Sequence, residues 1–247
     1  MDFKQIKAMG GDILANRPFS RRQEVFNNNA RLYARQGVIT TPGYLRLEQT
    51  APNSAVSQFK FETLQTSGVQ TSTERRLKLA DTFTITEISF YLGNSGATGY
   101  VSTPAQYAMQ TMHSFPNPSV FSTKADELEA IYNGYLSLRI DTTTFLDSIP
   151  MRQFYRVGTS QQQTAAANVP QIQRDEWPLS MYGRTELLPT IELNGQSNIE
   201  WNLFLPDATN CAAAANTNNI QLILVLQGFL NQGAATVQRQ VQQALRK

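Results

Sequence analysis

The chain has 247 residues, of which 41% are apolar, 10% aromatic and only 16% charged, with a net charge of +2. Globular chains typically carry about 25% charged residues. Here Gln, Asn, Ser and Thr take up the difference, a surface suited to packing against copies of itself or to binding sugars. A single cysteine, Cys211, excludes an intrachain disulfide framework and a multi-cysteine zinc site, and the length suits one large sandwich domain.

The N-terminus, MDFKQIKAMGGDIL, has acid and base before any apolar run, so no secretory signal is expected, and the sole Asn-x-Ser sequence, Asn117-Pro118-Ser119, is blocked by its proline. Phe3, Ile6 and Met9 recur at helical spacing until Gly10-Gly11. Arg17-Pro18 and Asn27-Asn28-Asn29 then punctuate the rest, so residues 1–36 read as an arm with one or two short helical pieces. The arm is basic: residues 1–37 hold Lys4, Lys7, Arg17, Arg21, Arg22, Arg31 and Arg35 against three acids.

From Gly37 the pattern turns to period two, and residues 37–233 read as a sandwich body. GYLRLEQ puts Leu45 and Leu47 on one face and Tyr44 and Arg46 on the other, and SQFKFETL sets Phe59 and Phe61 against Lys60 and Glu62. In ADTFTITEISFYLG the apolar positions are Phe83 and Ile85, then Ile88, Phe90 and Leu92. A strand changes its buried face only by inserting a residue, so a β-bulge or corner is predicted near Thr86-Glu87. GNSGATG at 93–99 is a loop, and Pro104, Pro116 and Pro118 restrict 100–120 to irregular chain or short edge pieces.

KADELEAIYN, 124–133, reads as a helix that Thr123 can cap, with Asp126 and Glu127 in its first turn and Gly134 at its end. YLSLRID and TTTFLDSI resume the strands, while Gln161–Ala167 and Asn210–Asn219 read as low-complexity loops. In IELNGQSNIEWNLFLPDA, two strands flank Asn194-Gly195-Gln196-Ser197 and are expected to form a hairpin. NIQLILVLQGFL is apolar on both faces, as for a strand between layers; its LILVL run is far below the roughly 20 residues of a membrane span. Residues 234–247 close the chain as a helix with Ala234, Val237, Val241 and Leu245 on one side, and with Arg239, Arg246 and Lys247 but no acid. About ten strands without βαβ alternation predict an all-β antiparallel sandwich with short helical segments at both ends.

Both ends are thus positive, whereas the 196 residues between them hold 11 basic and 16 acidic side chains. A polycation gains by displacing the counterions of a polyanion. The ten named basic residues are therefore the candidate contacts for nucleic acid or an anionic membrane, on tails expected to be free to reach it. The plainer reading is that they keep two exposed ends soluble.

Reactive constellations are thin, and no catalytic, cofactor or metal residues are expected. His113 is the only histidine, a dyad with Cys211 is a weak reading beside a small buried thiol, and Asp175-Glu176 point to opposite sides of an extended segment. Gly93, Gly96 and Gly99 have the wrong spacing for a nucleotide loop.

The basic N-terminal arm, the sandwich body with uncharged polar loops, and IELNGQSNIEWNLFLPDA followed by NIQLILVLQGFL together resemble a jelly-roll coat protein of a small icosahedral bacteriophage. The likeness is one of organisation and runs from about Gly37 to Leu230. Coat proteins of membrane-containing phages of the tectivirus and corticovirus kind often use two jelly rolls in tandem, with termini facing the interior. The strand count here fits a single roll better than a double one. The resemblance implies a non-enzymatic virion protein, assembled in the host cytoplasm. Its implied partners are copies of itself, other virion proteins, and the viral genome or an internal lipid membrane. The rival reading is a carbohydrate- or receptor-binding module, such as a phage spike or adhesin, with Trp177 and exposed tyrosines on the sugar.

Overall fold

Alternating large apolar residues commit most of the chain to strands. The computed structural model describes residues 18–34, 37–52, 54–65, 73–94, 111–117, 121, 125–156, 160–161, 171–172, 184–209 and 220–245. In chain order they form helix α1 (Pro18–Ala34), strands β1 (Ile39–Thr50), β2 (Val56–Glu62), β3 (Thr82–Asn94) and β4 (Thr111–His113), and helix α2 (Ala125–Tyr132). Next come β5 (Tyr135–Ile140), β6 (Thr143–Pro150), a 3-10 turn (Met151–Phe154), β7 (Ser160–Gln161), β8 (Gln171–Ile172), β9 (Arg184–Asn194), β10 (Ile199–Thr209), β11 (Ile220–Gln232) and helix α3 (Ala234–Leu245).

One sheet runs β1-β11-β3, with β4 and β9 both pairing with β3; the other runs β2-β10-β5-β6; β7 and β8 form a separate ribbon. Every strand-to-strand pairing among the described residues is antiparallel, so the all-β sandwich that the alternation predicts is what the chain forms. The eight long strands fold back on themselves: first pairs with last (β1 with β11), second with seventh (β2 with β10), third with sixth (β3 with β9) and fourth with fifth (β5 with β6). Leu45, Leu47, Phe90 and Leu224 of one sheet meet Phe59, Phe61, Leu138 and Trp201 of the other in one core, which Leu128 and Ile131 of α2 join from one side.

The face switch in β3 is a bulge at the expected place. Gln227 faces Glu87 and Gly228 faces Ile85, which leaves Thr86 as the extra residue. The Thr86 hydroxyl donates to the Gln227 carbonyl at 3.1 Å, and Phe83, Ile85, Ile88, Phe90 and Leu92 all stay buried. β11 is buried on both faces: Leu222, Leu224 and Leu226 look into the core, while Ile223, Val225 and Phe229 look outward and are still covered. α2 spans the helical segment expected at 124–133, although Thr123 lies outside the described residues. Gly134 follows it because any side chain there would overlap the Phe204 carbonyl.

Two expectations are corrected. β9 and β10 are not a hairpin: β9 pairs with β3 in one sheet and β10 with β2 and β5 in the other, so the turn between them crosses layers. Gly195 there is required by its close approach to the Lys78 and Asp81 backbones and has no positive φ. Asn27-Asn28-Asn29 do not interrupt the N-terminal segment but lie inside the 17-residue α1, where docking on the sheet outweighs their poor helix propensity. Residues 73–77, on which the sequence analysis is silent, lace one side of the sandwich shut. Arg75 exchanges two backbone hydrogen bonds with Arg46 of β1, and Leu77 donates to Thr63 and accepts from Gln65 beyond β2. This strap covers an edge that would otherwise present unpaired backbone.

Candidate functional site

The outward face of the β1-β11-β3-β9 sheet is where the two terminal helices, α1 and α3, meet. The registers align Thr40, Asn231, Thr82 and Asn194 in one row and Pro42, Phe229, Thr84 and Glu192 in the next. α1 lies over these rows. Phe26 packs on Phe229 with ring centroids 5.4 Å apart, and Asn29 donates from Nδ2 to the Thr84 hydroxyl at 2.7 Å. Beneath them Thr40 donates to Asn231 Oδ1 at 2.8 Å, and Asn231 Nδ2 donates to Thr82 at 3.1 Å, so the row carries its own hydrogen-bond chain.

α3 sits beside the C-terminal end of α1. Tyr33, Val38 and Ala234 form a small apolar cluster with Val237 against it. The Tyr33 hydroxyl donates to Glu192 Oε1 at 2.6 Å. Gln238 Nε2 donates to the Tyr33 oxygen at 2.9 Å and to Glu192 Oε1 at 3.1 Å, while its Oε1 accepts from Asn194 Nδ2 at 2.9 Å. Burial, reinforced by the Glu192 carboxylate, pushes the Tyr33 pKa up to about 12.

The expected contact residues divide. Arg22 is turned inward, its guanidinium 6.0 Å from the Phe229 ring centroid and 3.9 Å from Glu87, which Arg184 also meets at 3.5 Å. Arg31 of α1 and Arg239 of α3 are exposed on the same helical layer. Of Arg21 only the backbone is described, and Lys4, Lys7, Arg17, Arg35, Arg246 and Lys247 lie outside the described residues. The expectation of free tails is therefore corrected for 18–34 and for the first turns of α3. These segments dock on their own subunit through neutral and apolar contacts, and Arg22 pairs internally. Sequence reasoning missed Tyr33, Glu192, Asn194 and Gln238. The available signal was the 26-29-30-33 stripe of Phe26, Asn29, Ala30 and Tyr33, a helical spacing that the asparagine run obscures.

The outward face of the other sheet is a solvated ladder. Gln58 donates to Asn202 at 3.0 Å and Lys60 pairs with Glu200 at 3.5 Å; the Asn198 amide and the Lys60 ammonium hold the Glu200 carboxyl below its ordinary pKa. Tyr135 stacks on Phe204 at 5.0 Å and 21°, so one face of each ring is spent on the other rather than offered to a sugar. Trp177, Cys211 and Asp175-Glu176 lie outside the described residues. His113 is half-buried with its ring edge-on to Phe121, and burial lowers its pKa. Among the described residues no group of three His, Cys, Asp or Glu side chains could hold a metal ion, and no helix is long and apolar enough to cross a membrane. An open groove of about 260 Å³ lies between β6 and β9, lined by Leu146, Ile149, Phe154, Leu187 and Leu188. No protein-family model, no curated protein and no solved structure matches this chain.

Proposed function

We propose that the chain is a virion structural protein: a coat subunit folded as a single jelly roll that assembles with its own copies into a shell and turns its helix-covered face toward a polyanion, either nucleic acid or an anionic membrane. The observation that carries this reading is the collection of both terminal helices on one face of a sandwich whose strands pair first with last. That fold-back pairing supports a jelly roll, in which two Greek keys wrap around one core. Exposed Arg31 and Arg239 lie on the two helices of this face beside exposed Glu24 and Glu192, so the positive excess this reading calls on is the one counted in the sequence of the two ends. The low content of charged residues, 16%, suits contacts between copies. In this reading the protein works by assembly and not by catalysis, and the virion is its place of action.

A salt titration followed by sedimentation and negative-stain imaging tests it. Assembly is expected to depend on ionic strength. Binding to a single-stranded oligonucleotide or to phosphatidylserine vesicles should weaken with salt and weaken further in Arg31→Ala/Arg239→Ala. Deleting residues 1–36 should impair assembly while the sandwich stays folded. A protein that stays monomeric at every ionic strength with both ends intact would overturn the reading, and the two anionic probes distinguish genome from lipid.

A further inference from the structure

We propose that α1 and α3 form a clasp with a built-in order of release: the sandwich seats α3, α3 seats the end of α1, and α1 can lift from the sheet while everything beneath it stays folded. The root of α3 is tied to the body without help from α1. Gly233 donates its backbone N–H to Asp81 Oδ1 at 2.8 Å, Ala235 donates to the Ala80 carbonyl at 3.1 Å, and Ala235 is fully buried, whereas Ala234 shares its apolar cluster with Tyr33 of α1. α1 has no comparable foundation. Its 17 residues are polar on balance, its first turn carries no acidic residue to favour the helix dipole, and an isolated helix of about this length is marginal in water.

Among the described residues, three positions seat α1 on its neighbours. Phe26 on Phe229 and Asn29 on Thr84 anchor its middle, and Tyr33 anchors its end. Three of the partners around Tyr33, namely Ala234, Val237 and Gln238, belong to α3, and Gln238 joins Tyr33, Glu192 and Asn194 at one point. Gln238 is therefore the catch of the clasp. It is only half-buried and on the second turn of α3, so its removal leaves the root contacts intact. Of the two outward rows beneath α1, the one through Thr40, Asn231 and Thr82 already satisfies its own hydrogen bonds, and the next holds Phe229 and Thr84, the positions α1 covers. Lifting α1 would uncover Phe229 and Thr84 and break the Arg22–Glu87 pair, while Arg184 still accompanies Glu87.

Hydrogen exchange read by mass spectrometry on the full chain tests the order of release. In Gln238→Ala, amides of residues 22–34 should lose about tenfold of their protection, as expected when a few hydrogen bonds guard a local opening. Amides of β3 and β11, and those of Ala235 and Val237, should keep wild-type rates. Tyr33→Phe, which removes the donor to Glu192 without removing the ring, should give a smaller loss confined to the same residues. Unchanged protection of α1 in Gln238→Ala would overturn the proposal. So would loss of protection in α1 together with α3 or with the sheet, since the helices and sandwich would then open as one unit.

Discussion

Gly228 faces Ile85 directly across from the bulge, where any side chain would overlap the Thr84 carbonyl oxygen. Its neighbour across the next pair, Gly43, meets only the Leu230 and Phe83 side chains at 3.7 and 3.8 Å. Gly228→Ala should therefore cost about 3 kcal/mol by forcing backbone apart, whereas Gly43→Ala should stay within about 1 kcal/mol. Urea unfolding of the two variants would show the difference. Tyr33 makes a second prediction. Because its pKa is raised from 10.0 to about 12, its contribution is complete below pH 10, where folded and unfolded chains both keep the proton, and is lost as pH rises toward 12. Stability measured from pH 9 to 12.5 should fall more steeply for the natural chain than for Tyr33→Phe, with the excess slope confined to the window between 10 and 12. Residue by residue, the parity change around Thr86 was legible because a strand's period is rigid. The need for glycine at 228 was not, since it arises from a strand some 140 positions away in the chain.

At the scale of elements, α1 ends by a rule of local chemistry. Gly37 has φ 71°, its N–H bonds to the Ala34 carbonyl, and the Val38 N–H bonds to the Tyr33 carbonyl. This is the doubled closure of a Schellman motif, completed by the packing of Val38 on Tyr33. Gly37→Ala should loosen that end by about 1 kcal/mol, because the left-handed conformation crowds a Cβ even though the space around it is open. Amide exchange of residues 30–34 would report it. Strand positions were legible from alternation, as in Leu45 and Leu47 or Phe59 and Phe61. Strand partners were not: Ile191 and Leu193 read the same whether β9 pairs with β10 or, as it does, with β3. Residues 73–77 were illegible for a related reason. The strap makes single bridges to two sheets, and single bridges leave no periodic trace.

The whole molecule inherits a kinetic signature from its fold-back pairing. Three of the four outer-to-inner strand pairs join distant parts of the chain, and such non-local contacts must close long loops before they stabilise anything. Refolding should accordingly take roughly milliseconds to seconds or longer. Stopped-flow fluorescence of Trp201, fully buried in the core, would follow it in a Trp177→Phe background. Of the candidate surface, the excess of positive charge at both ends was countable from the sequence. That the two terminal helices share one face was not, because Tyr33, Glu192 and Gln238 are brought together only by the sheet order. The same order sets Ile39 opposite Gln232, so the extremities of the body are next-door neighbours. Peptides grafted at the two extremities would set out from one corner, about 5 Å apart. A short bridge between them would turn the body into a ring that can be reopened at another turn.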